Sequence, residues 1–314
     1  MYRMSPRERL TATLQHRKPD RVPRDAWFTP HILEAFRLHT GATDPAEHYG
    51  FEHRNVGLAP TRVRADFARY LPPDLPAGTH VNEWGEANVP GGFHHFTVHL
   101  QPLASLQSVA DLQAYPWPDV KVDYRYALLD NQDFTTFLLD TLCGIHCLMA
   151  RRFAEAGVDM IWLSEDLAMQ DRLMISPRMY RQWIRPRTAK VIDAAREVNP
   201  AVFIAQHHCG LIEPLIPDLI EIGVNALHPI QPECMDPASL KRRFGEALTL
   251  WGTVGAQSVF PFGTADDVRR TVRDNIARLG YDGGLWIAPS QALGPEVPWE
   301  NVAAFFEAVE EFGG

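Results

Sequence analysis

From residue 133 onward the apolar positions follow a repeating scheme. The stretch DFTTFLLDTLCGIHCLMARRFAEAG carries apolar residues at helical spacing and closes on Gly157, a residue suited to a helix C-terminus. Five short apolar runs follow: MIWL at 160–163, VFIA at 202–205, VNAL at 224–227, LTLW at 248–251 and LWIA at 285–288. Each gives way to a polar turn and a helix-like stretch. Ser176-Pro177, Asp236-Pro237, and Thr264 with Asp267 three residues on supply helix starts. Continuous apolar strands alternating with helices predict a parallel sheet covered on both faces. No glycine-rich fingerprint follows a strand, which argues against a dinucleotide fold. The expected fold is α/β, of the (β/α)8 TIM-barrel type, as a single domain over residues 1–314.

The stretch before residue 133 is less regular and rich in proline. PRERLTATLQH reads as a helix, RVPRDAW as a first strand and SVADLQAY as a short helix. Residues 77–103 have the alternation and Gly/Asn/Pro punctuation of a β-hairpin.

Composition narrows the function classes. The chain has 314 residues, 46% hydrophobic and 22% charged, with a net charge of -9, so it is long enough for one large core. No Lys/Arg block stands out, which excludes nucleic acid as an expected partner. No apolar run reaches the roughly 18 residues of a membrane span. The start, MYRMSPRERL, lacks the apolar centre of a signal peptide. Cys143, Cys147, Cys209 and Cys234 are too few and scattered for a disulfide framework. A cytoplasmic protein with reduced thiols, and no membrane contact, is the expectation.

In a barrel of this type the chemistry collects at the carboxyl ends of the strands. There stand Ser164, Glu165 and Asp166; Gln206, His207, His208 and Cys209; His228, with Gln231, Glu233 and Cys234; and Ser290 and Gln291. Alternation along a strand puts His207 and Cys209 on one side and His208 on the other. Imidazole and thiolate on one side suit zinc better than magnesium or calcium. The same spacing fits a hydrogen-bonded His207 and a Cys209 packed as a small apolar residue. Gly210 lets the backbone leave the strand sharply. Glu165 and Asp166 read as a ligand or a general acid/base, or else as caps of the next helix. His228-Pro229 shapes its loop, with His228 in reach of a substrate. Cys143, His146 and Cys147 share one helix face and read as packing. Trp84 and the histidines of GGFHHF suggest a substrate lid or ordinary hairpin residues.

With these residues in place the chain resembles the uroporphyrinogen decarboxylase superfamily. The resemblance rests on SPRERLTATLQHRKPDRVP, SVADLQAYPWPD, AGVDMIWLSEDLAMQ, ISPRMYRQWIRP, HHCGLIEPLIPDLIEIGVNALHPIQPE and GGLWIAPSQALGPEVPWENV. It implies a (β/α) barrel and either decarboxylation or methyl transfer linked to a corrinoid. The decarboxylase itself carries an arginine-rich substrate loop; the equivalent VPRDAWFTPH here has only Arg24. The methyltransferase branch implies a zinc site from His207 and Cys209, with a third ligand in APSQALGPEVP, where this chain has Gln291. Between PWPDV and DNQDF the family has a further strand and helix, so the barrel is expected to be shortened near residues 119–131.

The first functional reading is therefore zinc-dependent methyl transfer to a metal-activated thiol. It assigns His207, Cys209 and Gln291 to the metal, Glu165, Asp166 and His208 to catalysis, and Arg24, Trp84 and His228 to the substrate. No cobalamin motif of the type D-x-H-x-x-G is present, so a corrinoid would arrive on a separate protein. Metal-independent decarboxylation of a small, aromatic or uroporphyrinogen-like carboxylic acid is the alternative, and a non-catalytic ligand-binding barrel the third. Oligomeric state stays open, a homodimer being the commonest soluble assembly.

Overall fold

The computed structural model describes residues 3–56, 65–82, 85–90, 97–103, 106, 108–116 and 132–314. The expected shortening near 119–131 and the lid residues Trp84 and GGFHHF lie outside these. The chain divides into two compact units, Val56–Gly157 with Pro186–Pro200, and Met1–Asn55 with Val158–Arg185 and Ala201–Gly314.

In the first of these, the alternating stretch forms a three-stranded antiparallel sheet of β1 (His80–Val81), β2 (Ala87–Pro90) and β3 (Thr97–Leu100). Ser108 and Asp111 form a reciprocal cap on the helix Val109–Ala114. Leu138 and Leu142 of the helix Gln132–Glu155 join Phe67, Leu112 and Tyr115 in an apolar core. Cys143 and Cys147 share a face of that helix, their sulfurs 3.9 Å apart.

The second unit holds a parallel sheet in the order β4 (Met160–Ser164), β5 (Phe203–His207), β6 (Ala226–His228), β7 (Thr249–Trp251) and β8 (Leu285–Trp286). Helices connect successive strands, as the apolar runs predict. The first-strand segment extends the sheet by parallel bridges, Arg24 to Ile287 and Phe28 to Leu293. Two prolines flank it, and Pro23 offers only its carbonyl, which accepts from Ile287 N–H at 3.0 Å.

Residue size sorts along the strands. On one face Trp162, Trp251 and Trp286 pack beside Ala205, Ala226 and Ala288, with Leu14 of the helix Pro6–Leu14 beneath them. Large and small side chains thus interleave, and the Trp251 and Trp286 rings stack with centroids 3.7 Å apart. On the other face Leu285 and Ile287 meet the helices Ala265–Leu279 and Trp299–Phe312 through Val268, Val272, Phe305 and Val309. Fully burying apolar side chains of this size is worth about 1.5–3 kcal/mol each. Both faces are therefore largely apolar, with isolated buried polar groups such as Thr249.

Candidate metal centre

β5 runs past its apolar stretch. Gln206 and His207 continue the ladder, with Ser164 beside His207 on β4 and His228 beside it on β6. Alternation then places Phe203, Ala205 and His207 on the face with the tryptophans.

Three residues beyond β5, Gly210 turns the backbone with φ +82°, and a Cβ there would stand 2.2 Å from the Met169 carbonyl oxygen. Only glycine admits that approach. Leu211 N–H donates to the same carbonyl at 2.8 Å, and Gly210 N–H donates to Gln231 Oε1 at 3.2 Å. The turn fixes Cys209 against the loop after β4, where its N–H donates to Asp166 Oδ1 at 2.9 Å.

Three donor atoms meet here. Cys209 Sγ lies 3.4 Å from His207 Nε2, and Asp166 Oδ1 lies 3.9 Å from that nitrogen. Ligand atoms of Asp166, His207 and Cys209 all fall within 4.8 Å of one another. The Asp166 side chain is 56% exposed, so the cluster opens to solvent. One nitrogen, one sulfur and one carboxylate oxygen suit a borderline-soft cation and leave a fourth tetrahedral position for another ligand. Gln291 reaches the same place, its Nε2 donating to Cys209 Sγ at 2.7 Å. Burial pushes the Cys209 thiol up to about 12, Asp166 adds to this and the Gln291 contact opposes it.

The other expected site residues are distributed around this point. His228 is buried, its Nδ1 2.9 Å from His207 Nδ1, and burial with the neighbouring His207 and His53 drives its pKa well below the ordinary value. Glu165 accepts from Gln206 Nε2 at 3.3 Å. His208 is fully buried, and burial lowers its pKa to about 3. Arg24 is engaged with Glu310 at 2.7 Å and donates to the Tyr49 carbonyl at 2.7 Å. Cys234 donates to Gln170 Oε1 at 3.0 Å.

Two features carry no motif in the sequence. Trp27, 41% exposed, stands with its ring centroid 5.7 Å from both Trp162 and His228 and gives the centre an aromatic wall. Below it Asp25 is fully buried, accepts from Trp251 Nε1 at 3.0 Å and lies 3.8 Å from His53. Burial raises Asp25 to about 7 and lowers His53 to about 4. Alternation in RVPRDAW separates Arg24 from Asp25, and that was the available signal.

Over 164 residues the chain is 25% identical to the methylcobamide:CoM methyltransferase MtaA of Methanosarcina barkeri, covering 52% of this chain and 44% of that protein. Over 197 residues it is 22% identical to the uroporphyrinogen decarboxylase of Nostoc punctiforme, covering 59% and 51%. The chain thus spans about half the length of these curated relatives. A solved methyltransferase from Methanosarcina mazei superimposes with a TM-score of 0.59 at 20% identity, over 98% of this chain and 99% of that one. That likeness shows an α/β fold of the TIM-barrel type. The model of the uroporphyrinogen decarboxylase family matches residues 123–312, more than half of the sequence and all of β4 to β8, and the chain belongs to that family.

Proposed function

We propose that the chain is a zinc-dependent methyltransferase that moves a methyl group from a donor, such as a methylated corrinoid on a separate protein, to a thiol. The observation that carries this reading is the cluster of Asp166, His207 and Cys209, with donor atoms within 4.8 Å. The likeness to a methylcobamide:CoM methyltransferase supports it.

His207 Nε2 and Cys209 Sγ hold the ion, and Asp166 serves as the third protein ligand. A zinc ion there supplies the positive charge that lowers the pKa of a coordinated thiol. Gln291 donates to Cys209 Sγ and tempers its charge. The aromatic wall of Trp27 and Trp162 shields the acceptor from water on one side. In the transfer the acceptor sulfur bonds the methyl carbon, the donor keeps the pair of the broken bond, and the thiol proton passes to solvent at the open Asp166 edge.

Metal analysis of the purified protein tests the reading, together with demethylation of free methylcobalamin by a small thiol. One zinc per chain and thiol-dependent turnover, both lost in Cys209→Ser, are expected. A wild-type protein without zinc sinks it.

Decarboxylation is the second reading, supported by the likeness to a uroporphyrinogen decarboxylase. Asp166 is then the group that stabilises a protonated intermediate. Carbon dioxide release that persists with a chelator favours this reading over the first.

A further inference from the structure

The geometry points to His228 as the positioning residue that sets the tautomer of His207, and so presents His207 Nε2 as a lone pair to the metal. This rests on the zinc reading above, and deepens it.

His207 and His228 are register partners on adjacent parallel strands. Their Nδ1 atoms lie 2.9 Å apart, and the rings stack with centroids separated by 5.1 Å. Two ring nitrogens at that distance share one proton: two lone pairs, or two N–H groups, would repel. If the proton sits on His207 Nδ1, neutral His207 carries its lone pair on Nε2, the atom 3.4 Å from Cys209 Sγ. If it sits on His228 Nδ1, His207 Nε2 keeps its own proton and cannot ligate. The partner on the far ring nitrogen therefore decides whether His207 binds metal.

The surroundings of His228 hold its ring in place. Its ring packs against Trp27 at 5.7 Å, Trp162 at 5.1 Å and Trp251 at 4.7 Å. These three indoles fix the plane of the imidazole. Gly252, with φ +77°, clears the remaining edge: a Cβ there would stand 3.0 Å from His228 Cδ2 and 3.2 Å from its Nε2. The ring is held on several sides with Nδ1 aimed at His207. Metal-bound histidines usually have a carboxylate or carbonyl in this role; here a second imidazole takes it.

Two measurements on the full chain test the assignment. In metal-free protein with 15N-labelled histidine, long-range proton–nitrogen correlations at neutral pH are expected to show His207 protonated on Nδ1. Protonation on Nε2 overturns the proposal. Zinc affinity, read by competition with a chromophoric chelator, is expected to fall about 10- to 100-fold in His228→Leu. In His228→Asn, whose Oδ1 stands near the replaced Nδ1 and can accept, it is expected to return most of the way. A folded His228→Leu protein with wild-type affinity also overturns the proposal. Should the leucine variant not fold, the tautomer measurement decides alone. Should the wild type bind no zinc, the metal reading falls, while the tautomer still decides the role of His228.

Discussion

The two sides of β5 make opposite use of the same residue type. His207 faces the tryptophans and meets Cys209, Asp166 and His228 through both ring nitrogens. His208, one residue later, is fully buried, and neither ring nitrogen makes a well-formed hydrogen bond to a described residue, the Glu165 backbone being a weak polar neighbour. Gln206 lies on the His208 side, with its Nε2 on Glu165. Two adjacent histidines thus differ less in chemistry than in which layer they enter. A polar pair at a strand end is informative only once the pleat is known, because a shift of one residue exchanges every partner.

The sharpest way to break this comparison is to substitute both sides and count metal. His207→Ala and Cys209→Ser are expected to reduce zinc from one per chain to background. Gln206→Leu and His208→Leu are expected to leave it unchanged. Zinc lost from the second pair, or kept by the first, would show that the side of the strand does not sort the function. The turn that follows β5 gives the next effect. Gly210→Ala forces a side chain into the left-handed region and against the Met169 carbonyl, and is expected to cost about 1–3 kcal/mol or more in denaturant unfolding.

The first-strand segment repeats the comparison with acids and bases. Arg24 pairs with Glu310, while Asp25, its neighbour, is buried under Trp251. Asp25 keeps its proton to about pH 7 in the folded chain, against an ordinary value of 3.8. The unfolded chain releases that proton first, so the group weakens the fold as pH climbs through this window. His53, lowered to about 4 from 6.5, acts with the opposite sign. Asp25→Asn removes one of the two opposing slopes. Its stability relative to wild type is expected to rise with pH between these values, by at most about 1.4 kcal/mol per unit. A pH-independent difference would show that Asp25 ionises normally.

Much of this molecule was legible from pattern. The apolar runs located the five parallel strands, and His-x-Cys marked two members of the candidate cluster, because strand pattern and strand-end chemistry are local properties. Strand ends were less so: β5 continues through Gln206 and His207, since its ladder partners on β4 and β6 extend equally far. The convergence of Asp166 was one option among several, because the distance between two strand ends depends on the register. The aromatic wall was invisible for the same reason. Trp27 and Trp162 are 135 residues apart in sequence (162 − 27), and nothing local says that their rings meet. The family resemblance points Arg24 toward the substrate, and its guanidinium is engaged with Glu310 and the Tyr49 carbonyl.

The smallest effect separates a buried histidine that serves a partner from one that does not. In His208→Leu an apolar side chain replaces a fully buried imidazole whose nitrogens lack well-formed hydrogen bonds, which removes a desolvation penalty of about 1–3 kcal/mol at the cost of imperfect packing. The net gain at neutral pH is therefore expected to be about 1 kcal/mol. It should grow under acid. The folded chain refuses a proton on His208 until about pH 3, whereas the unfolded chain accepts one below about 6.5, so wild-type stability drains away across that interval and the variant lacks this slope. Paired unfolding curves of metal-free wild type and His208→Leu between these pH values measure the gap. A gap that stays constant, or closes, as pH falls would mean that His208 finds a partner for its proton after all, and the contrast between the two sides of β5 would lose its basis.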